Sequence, residues 1–236
     1  MTYEFSPLTK EKLSAIRGEY EVAIDRLEMI FEDLQDDFRQ VAHDKHQLNP
    51  MMQFYSRCKT VSSMEGKLNK DIEDKDFFAS DMNDITKILN HLRDIAATRI
   101  LCPNKRSIFE VVKALKNCEI LTFIEEKEKN MVGIPSIFGD FKEYSEKITQ
   151  KRGYRSYHLI AELDGKNIEI QVRTYGMEFW GQLEHDMNYK HEIDTGIEIP
   201  QQLKDELVKV SNQIDNIDNK LYRIYEMILM NDYNHK

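Results

Sequence analysis

Apolar residues recur every three or four positions over residues 9–42. This spacing places them along one side of a helix, so the sequence predicts a long amphipathic helix at the start of the chain. After Pro50 the pattern predicts a second helix to about Leu68, and then a third over residues 82–92. Residues 94–102 are mostly apolar and predict a helix end that passes into a buried strand.

The middle of the chain alternates between helical and extended patterns. Residues 104–117 predict another amphipathic helix, and residues 119–125 predict a strand. A long polar connection follows over residues 126–152, and connections of this length are usually functional or mobile. Two alternating runs, 156–163 and 166–174, are then joined by Asp164-Gly165, the dipeptide favoured in two-residue type I′ turns. They predict an antiparallel β-hairpin.

The hairpin turn fixes which side chains share a face. Across a two-residue turn Leu163 faces Lys166, so Ile160 faces Glu169 and His158 faces Gln171. Ile168, Ile170 and Val172 point to one side, and this apolar side must be the covered one. The other side is predicted to carry His158, Glu169, Gln171 and Arg173.

The last segment predicts a helix with a regular apolar seam that begins after Pro200. Its apolar residues alternate in steps of four and three, which is the heptad pattern of helices that pack on helices. The seam could pack on the first helix of the same chain, or on a second copy, and we expect self-association. The seam residues are Leu203, Leu207, Val210, Ile214, Ile217, Leu221, Ile224 and Ile228.

Composition limits the classes of function. The chain has 236 residues and a formal net charge of −9, which disfavours non-specific binding to nucleic acid or to anionic membranes. Three cysteines without a CxxC pair disfavour zinc and disulfide scaffolds. No secretory or membrane-spanning segment is visible. We expect a soluble cytoplasmic protein with one catalytic domain and helical additions.

Two carboxylates lie in a basic setting. Asp94 precedes the apolar strand that carries Arg99, and Glu169 lies on the polar side of the hairpin. Transfer of phosphoryl or pyrophosphoryl groups needs such a pair, because carboxylates hold Mg²⁺ on substrate phosphates while cations neutralise charge in the transition state. On spacing alone, both could equally be ordinary strand-end acids paired with neighbouring arginines.

The cations and one aromatic residue complete the candidate site. Arg57 and Lys67 are ten residues apart, so the predicted second helix would carry both on roughly one face. Tyr154 lies where the polar connection enters the hairpin, and its ring could stack on a base or serve in packing. No P-loop or Rossmann glycine pattern is present. The candidate cations are Arg57, Lys59, Lys67, Arg99, Lys142, Lys147, Lys151, Arg152 and Arg155.

Six short segments in order resemble the synthetase domain of the RelA/SpoT family, in particular the small alarmone synthetases that lack a hydrolase domain. One such segment would be a weak signal, whereas six in the family's order are a strong one. They are Arg57-Cys-Lys59 with Ser63 and Lys67, Asp94-Ile-Ala-Ala-Thr-Arg99, Phe138-Gly-Asp-Phe-Lys142-Glu-Tyr144, Gly153-Tyr-Arg-Ser-Tyr-His158, Ile168-Glu-Ile-Gln-Val-Arg-Thr174, and Phe179-Trp-Gly-Gln-Leu-Glu-His185.

The resemblance implies an α+β fold, with a mixed sheet of about five strands flanked by helices, as in nucleotidyltransferases, and long helices at both ends. It implies transfer of the β,γ-pyrophosphate of ATP to the ribose 3′-hydroxyl of GDP or GTP, with release of AMP. Asp94 and Glu169 would bind Mg²⁺ and be catalytic, Glu169 also helping to deprotonate the hydroxyl. ATP would be bound by Arg57, Lys59, Ser63, Lys67, Arg99 and Lys142, and the acceptor by Tyr154, His158, Gln171, Lys151 and Arg152.

The sequence departs from the family pattern mainly in the acceptor half. Ala97 replaces the usual glycine after Asp-Ile-Ala, Asp140 replaces the usual arginine of Gly-Arg-Phe-Lys, and the stretch before Gly153 is altered and one residue longer. Some relatives are toxins that pyrophosphorylate the 3′ end of tRNA and are neutralised by an antitoxin. That acceptor is the alternative hypothesis, with Lys151 and Arg152 beside the pocket.

The predicted organisation has three parts. Residues 1–49 form an N-terminal helical segment, residues 50–191 form the synthetase domain, and residues 192–236 form a C-terminal helix for oligomerisation or packing.

Overall fold

The computed structural model describes residues 5–45, 47–73, 84–92, 94–129, 153–190 and 195–234, together with residues 76, 78 and 80. Six α-helices and five strands are present in these ranges. The helices are α1 (Pro7–Lys45), α2 (Val61–Glu73), α3 (Ile85–His91), α4 (Lys105–Lys116), α5 (Tyr175–Glu184), which a π-helical turn (His185–Lys190) extends, and α6 (Gln201–Asn234). The strands are β1 (Gln53–Cys58), β2 (Ala96–Cys102), β3 (Thr122–Lys129), β4 (Ser156–Leu163) and β5 (Lys166–Thr174).

The five strands form one mixed sheet in the order β1-β2-β5-β4-β3. β2 and β5 pair in parallel, and the other neighbours are antiparallel. This confirms the predicted fold class: a mixed five-stranded sheet flanked by helices, with long helices at both ends. None of the helices in the described ranges is long and apolar enough to span a membrane.

One face of the sheet forms the hydrophobic core. Because side chains alternate along a strand, β4 and β5 direct every second residue to this face. It packs against Leu27 and Phe31 of α1 and against Ile108 and Val111 of α4 in one buried cluster. The buried residues that β2, β4 and β5 contribute are Ala96, Ile100, Cys102, Tyr157, Leu159, Ala161, Leu163, Ile168, Ile170 and Val172.

The predicted hairpin and its register are confirmed. Leu163 pairs with Lys166, Ile160 with Glu169, and His158 with Gln171. Asp164 and Gly165 both have positive φ, 52° and 72°, as a type I′ turn requires. Glu169 therefore lies on the face opposite the apolar core.

Two predicted elements are wrong in detail. Arg57 lies on β1 and not on the second helix, which begins only at Val61, so it cannot share a helix face with Lys67. The third strand begins at Thr122 and not at Glu119. After α4 the chain continues in turns as far as Leu121, whose side chain is buried. This strand also extends to Lys129, into the segment that was predicted to be a polar connection.

The last helix packs on the domain through a mainly polar face that also includes the buried Tyr222. Lys204, Ser211 and Asp218 are buried against the domain, whereas six of the eight seam residues are at least 42% exposed. Its neighbours include α4 and α5. The apolar seam is thus directed away from this chain at Leu203, Val210, Ile217, Leu221, Ile224 and Ile228.

Candidate active site

The face of the sheet opposite the core carries the predicted site residues, and we call it the polar face. Tyr55 of β1 pairs with Arg99 of β2, which pairs with Gln171 of β5, which pairs with His158 of β4. Paired residues point to the same face of a sheet. The strand register therefore aligns four polar side chains across the sheet.

The adjacent row of the polar face contains Glu169, a candidate catalytic residue. Arg57 pairs with Ala97, which pairs with Glu169. Arg57 is thus a diagonal neighbour of Arg99, within reach of long side chains. A small side chain at Ala97 separates the Arg57 guanidinium from the Glu169 carboxylate.

Asp94 lies just before β2 and binds two lysines. Its Oδ2 is 2.7 Å from Nζ of Lys59, and its Oδ1 is 2.8 Å from Nζ of Lys67. Partial burial alone would raise the pKa of Asp94, but the hydrogen bonds and charges of the two lysines outweigh it, and the pKa is lowered. The carboxylate is therefore ionised at neutral pH and lies among cations.

Glu169 is held by two residues of neighbouring strand positions, His158 and Gln171. Its Oε1 accepts a hydrogen bond from Nδ1 of His158 at 2.7 Å, and its Oε2 accepts one from Nε2 of Gln171 at 2.8 Å. Burial raises the pKa of Glu169, but His158 and Gln171 outweigh burial and lower it to about 2. The charge of Asp94 acts in the opposite direction and raises this pKa. Asp94 precedes by three residues the Ala97 that pairs with Glu169, so the two carboxylates belong to neighbouring parts of the sheet.

A third carboxylate joins the two halves of the polar face. Oε1 of Glu178, in the first turn of α5, accepts from Arg99 at 2.9 Å, and its Oε2 accepts from Arg173 at 2.7 Å. The Tyr55 hydroxyl also donates to Glu178. Burial raises the pKa of Glu178, but these partners outweigh burial and lower it. An ionised buried carboxylate therefore holds two arginines on neighbouring strands.

Tyr154 precedes β4, and its ring lies beside this network. Its hydroxyl is 3.1 Å from Nε2 of His158 and accepts a hydrogen bond from Arg173. The Arg173 guanidinium carbon lies 4.7 Å from the ring centroid. One face of the ring is thus covered by a cation, while the hydroxyl touches the histidine that holds Glu169.

The structure brings most of the predicted site residues together. Ser63 lies in the first turn of α2, where its backbone N–H donates to Oγ1 of Thr60, and its side chain is exposed. The predicted residues Lys142, Lys151 and Arg152 lie outside the described residues. Those that lie on or beside the polar face are Arg57, Lys59, Lys67, Asp94, Arg99, Tyr154, His158, Glu169 and Gln171.

Sequence reasoning assigned no role to Glu178 or Tyr55 and placed Arg173 on the polar side without a role. A signal for Glu178 was present, because acidic residues in the first turn of a helix are common and Thr174 is a good N-cap. Thr174 does cap α5, since its side chain accepts from the backbone N–H of Met177. Its bonds to Arg99 and Arg173, however, depend on how β5 turns into α5.

The carboxylate pair fits Mg²⁺. Within the described ranges no cluster of three or more His, Cys, Asp or Glu side chains forms a metal site. Mg²⁺ does not require one, since it binds to proteins through one or two carboxylates and completes its shell with waters and substrate phosphates. Asp94 and Glu169 are both ionised at neutral pH and interact electrostatically, so their oxygens suit this ion.

Known proteins include relatives that are similar to this chain. The chain is 29% identical over 213 residues to GTP pyrophosphokinase YwaC of Bacillus subtilis, which covers 87% of this chain and 86% of that protein. It is 29% identical over 141 residues to GTP pyrophosphokinase YjbM of the same organism, covering 56% of this chain and 57% of that protein.

Solved structures with the same fold include small alarmone synthetases. The crystal structure of small alarmone synthetase 2 from Bacillus subtilis superposes with a TM-score of 0.66 at 28% identity, covering 91% of this chain and 98% of that one. Small alarmone synthetase 1 from the same organism, bound to its product pppGpp, shares the fold with a TM-score of 0.66 at 22% identity, covering 92% of this chain and 98% of that one. The family model described as "Region found in RelA / SpoT proteins" matches residues 56–194, and the chain therefore belongs to the RelA/SpoT family.

Proposed function

We propose that this protein is an ATP-dependent pyrophosphokinase that transfers the β,γ-pyrophosphate of ATP to the ribose 3′-hydroxyl of GDP or GTP. The observation that carries the proposal is the position of ionised Glu169. Glu169 binds His158 and Gln171, and it pairs across the sheet with Ala97, three residues after the Asp94 that binds Lys59 and Lys67. Relatives with 29% identity are named GTP pyrophosphokinases.

The donor half consists of cations on β1, α2 and β2. Arg57 and Arg99 project from adjacent strands on the polar face, and planar guanidinium groups stack well on a purine. Lys59 and Lys67 are point charges suited to phosphates. In the protein alone these lysines bind Asp94. The phosphates of an incoming nucleotide would take the place of the Asp94 carboxylate as the anion that the lysines bind.

The acceptor half consists of Tyr154, His158 and Gln171. The exposed part of the Tyr154 ring offers a platform for a base, and bases stack on aromatic rings by about 1–3 kcal/mol each. His158 and Gln171 both bind Glu169. A nucleoside placed on Tyr154 would therefore bring its ribose towards this carboxylate.

In the transfer itself, the 3′-oxygen of the acceptor forms a bond to the β-phosphorus, and the bond from that phosphorus to the oxygen of the α-phosphate breaks to release AMP. A carboxylate with a pKa of about 2 is a weak proton acceptor, so in this state Glu169 mainly orients the hydroxyl. If acceptor binding draws His158 away from Glu169, the pKa of the carboxylate rises and it becomes a better base for the hydroxyl proton.

Asp94 and Glu169 are the residues that would hold Mg²⁺. When bound, the ion neutralises the charge of the transferred phosphates and aligns them for attack. Around it, the lysines hold the donor phosphates and Glu169 orients the acceptor hydroxyl.

We also propose that a second copy of the chain covers the apolar seam of α6. The polar face of this helix is already occupied by its own domain, whereas six seam residues are exposed. A heptad seam on a 34-residue helix is suited to pack against an identical helix, because knobs and holes are then complementary. The protein is therefore predicted to be a homo-oligomer, and a cytoplasmic location stays a prediction.

The proposed reaction is tested by supplying ATP labelled in the γ-phosphate together with GDP, GTP or deacylated tRNA. We expect the label to appear on GDP or GTP. No label on any acceptor under saturating Mg²⁺ would overturn the proposal.

The alternative acceptor, the 3′ end of tRNA, is an outcome of the same test. Lys151→Glu with Arg152→Glu separates the two, because cations on a tRNA backbone give salt-dependent affinity. For a tRNA acceptor, labelling would collapse in this variant and fall steeply with salt. For GDP or GTP the variant would reduce transfer only modestly. If tRNA is labelled and GDP and GTP are not, the guanine-nucleotide proposal is wrong and an antitoxin partner is expected.

A further inference from the structure

Both residues that flank Tyr154 are held by the C-terminal helix. The carbonyl oxygen of Gly153 accepts a hydrogen bond from Oγ of Ser211 at 2.5 Å. The Arg155 guanidinium donates to Oδ1 of Asn212 at 2.7 Å and also to Oγ of Ser211. Arg155 is only 9% exposed and Ser211 only 3%. The Arg155 guanidinium and the Gly153 carbonyl are thus held by Ser211 and Asn212, which are successive residues of α6.

An ion pair strengthens this attachment. Nε of Arg155 lies 3.4 Å from Oδ1 of Asp215, one turn further along α6. The same carboxylate oxygen is 2.6 Å from Nζ of Lys105 at the start of α4. Asp215 therefore joins the segment that carries Tyr154, just before β4, to the first residue of α4.

The backbone at Gly153 is fitted closely to α6. Its φ is +77°, a conformation that favours glycine. A Cβ atom at this position would be 2.8 Å from Cβ of Ser211 and 3.2 Å from Cζ2 of Trp180. Trp180 itself donates from Nε1 to the carbonyl oxygen of Leu207 on α6 at 3.0 Å. Nothing larger than glycine fits between the strand and the helix.

Tyr154 thus lies between two residues that α6 holds, and its side chain lies in the candidate site. Its hydroxyl contacts His158 and Arg173, both on the polar face. The donor cations Arg57, Lys59 and Lys67 lie on or next to β1 and α2. A small displacement of Gly153 or Arg155 relative to α6 would move the Tyr154 ring and leave these three cations in place.

We propose that Ser211, Asn212 and Asp215 are positioning residues that set the affinity for the acceptor by holding Tyr154, with no contact of their own to substrate. The proposal rests on the function proposed above. An acceptor binds only the fraction of molecules whose platform is in place, so the apparent affinity falls in proportion to that fraction. Loss of the α6 contacts should therefore raise the KM for the acceptor and not the KM for ATP.

The test compares Asn212→Ala with Asn216→Ala and Asn212→Asp in the full chain. Asn212→Ala removes the side-chain oxygen that accepts a hydrogen bond from Arg155, and position 212 is exposed. We expect the KM for GDP or GTP to rise about tenfold, equivalent to about 1.4 kcal/mol, and the KM for ATP to change less than twofold. Asn216→Ala makes the same change at an exposed position one turn away on α6 and should leave both constants unchanged. Asn212→Asp keeps an oxygen for Arg155 and should restore the acceptor KM.

Ser211→Ala provides a second variant, because it removes the hydroxyl that contacts both Gly153 and Arg155. It should raise the acceptor KM further than Asn212→Ala does. Equal increases in both KM values, or a lower melting temperature with unchanged KM values, would show a purely structural role and overturn the inference. If the unmodified protein labels no acceptor, the proposed function and this inference fall together. If it labels GDP or GTP and the variants behave like it, only the inference falls.

Discussion

Glu178 offers the sharpest test of how the polar face is held together. Glu178→Gln keeps the size of the side chain and an amide oxygen, but it removes the charge between Arg99 and Arg173. Glu178 is 5% exposed, so water cannot replace the lost carboxylate. The two guanidinium groups would then share only Oε1 of Gln171, which already accepts from Arg99 at 3.1 Å and from Arg173 at 2.6 Å.

The expected loss of stability follows from the two ion pairs, at 2.9 Å and 2.7 Å. With an effective dielectric constant of about 20, each attraction is roughly 6 kcal/mol before desolvation is subtracted. Removing one partner from a buried pair typically destabilises by about 3–5 kcal/mol. Because glutamine keeps part of the hydrogen bonding, we expect about 3 kcal/mol. In a protein of this size that corresponds to a fall in Tm of about 6–12 °C.

Thermal and urea unfolding measure this loss, and the transfer assay measures its effect on the site. Transfer should fall at least about tenfold, because Arg99 on the donor side and Arg173 beside Tyr154 lose a common anchor. Glu206→Gln is the matched control, since Glu206 pairs with Lys209 at 2.6 Å with both side chains more than half exposed. That change should alter stability by less than about 1 kcal/mol. A loss for Glu178→Gln no larger than the control's would refute the reasoning.

Three further changes test separate parts of the account. Glu169→Gln should abolish transfer and leave the fold intact by circular dichroism. The pKa of Glu169 is lowered from 4.5 to about 2, so its contribution to stability is present above pH 4.5 and is lost as the pH falls towards 2. Acid unfolding should therefore show a loss of stability in this range that Glu169→Gln lacks. Transfer by this variant within threefold of the unmodified protein would remove Glu169 from the mechanism. Tyr154→Ala should suppress transfer to either acceptor, by the loss of a stacking contact of about 1–3 kcal/mol, and an unchanged acceptor KM would contradict this role. Ile217→Asp or Leu221→Asp should produce a smaller species, because a charge in an apolar seam is unfavourable. Light scattering that finds the unmodified protein to be a monomer would contradict the proposal that a second copy covers the seam.

The hairpin shows what the sequence can determine. Asp164-Gly165 specifies a two-residue turn, and the turn sets the register of every pair that follows. The position of His158 and Glu169 on one face was therefore predictable from local chemistry. The position of Asp94 beside the sheet was predictable for a similar reason, since Asp94 directly precedes a strongly apolar strand.

Tertiary placement determined the features that the sequence did not predict. Phe54 and Cys58 alternate with Tyr55 and Arg57 on β1, but six residues directly before a helix gave too short a signal to separate strand from helix. The second half of β3 has a charged sequence, and β3 is an edge strand, a position at which charged residues are common.

Likewise, the heptad pattern located the seam of α6 but not the polar face that docks it. That face depends on where Arg155, Lys105 and Thr174 lie in three dimensions. Thr174 donates to the buried Asp218 of α6, a contact that no local pattern in the sequence specifies.

The central claim is transfer of pyrophosphate, and the nucleotide released from ATP tests it most directly. Transfer of the β,γ-pyrophosphate releases AMP, whereas transfer of the γ-phosphate alone releases ADP. With unmodified protein, Mg²⁺, ATP and GDP or GTP, quantitative chromatography should show one AMP for each acceptor that gains two phosphates, and no AMP in the Glu169→Gln variant. Formation of ADP in place of AMP, or of AMP without a pyrophosphorylated acceptor, would contradict the account.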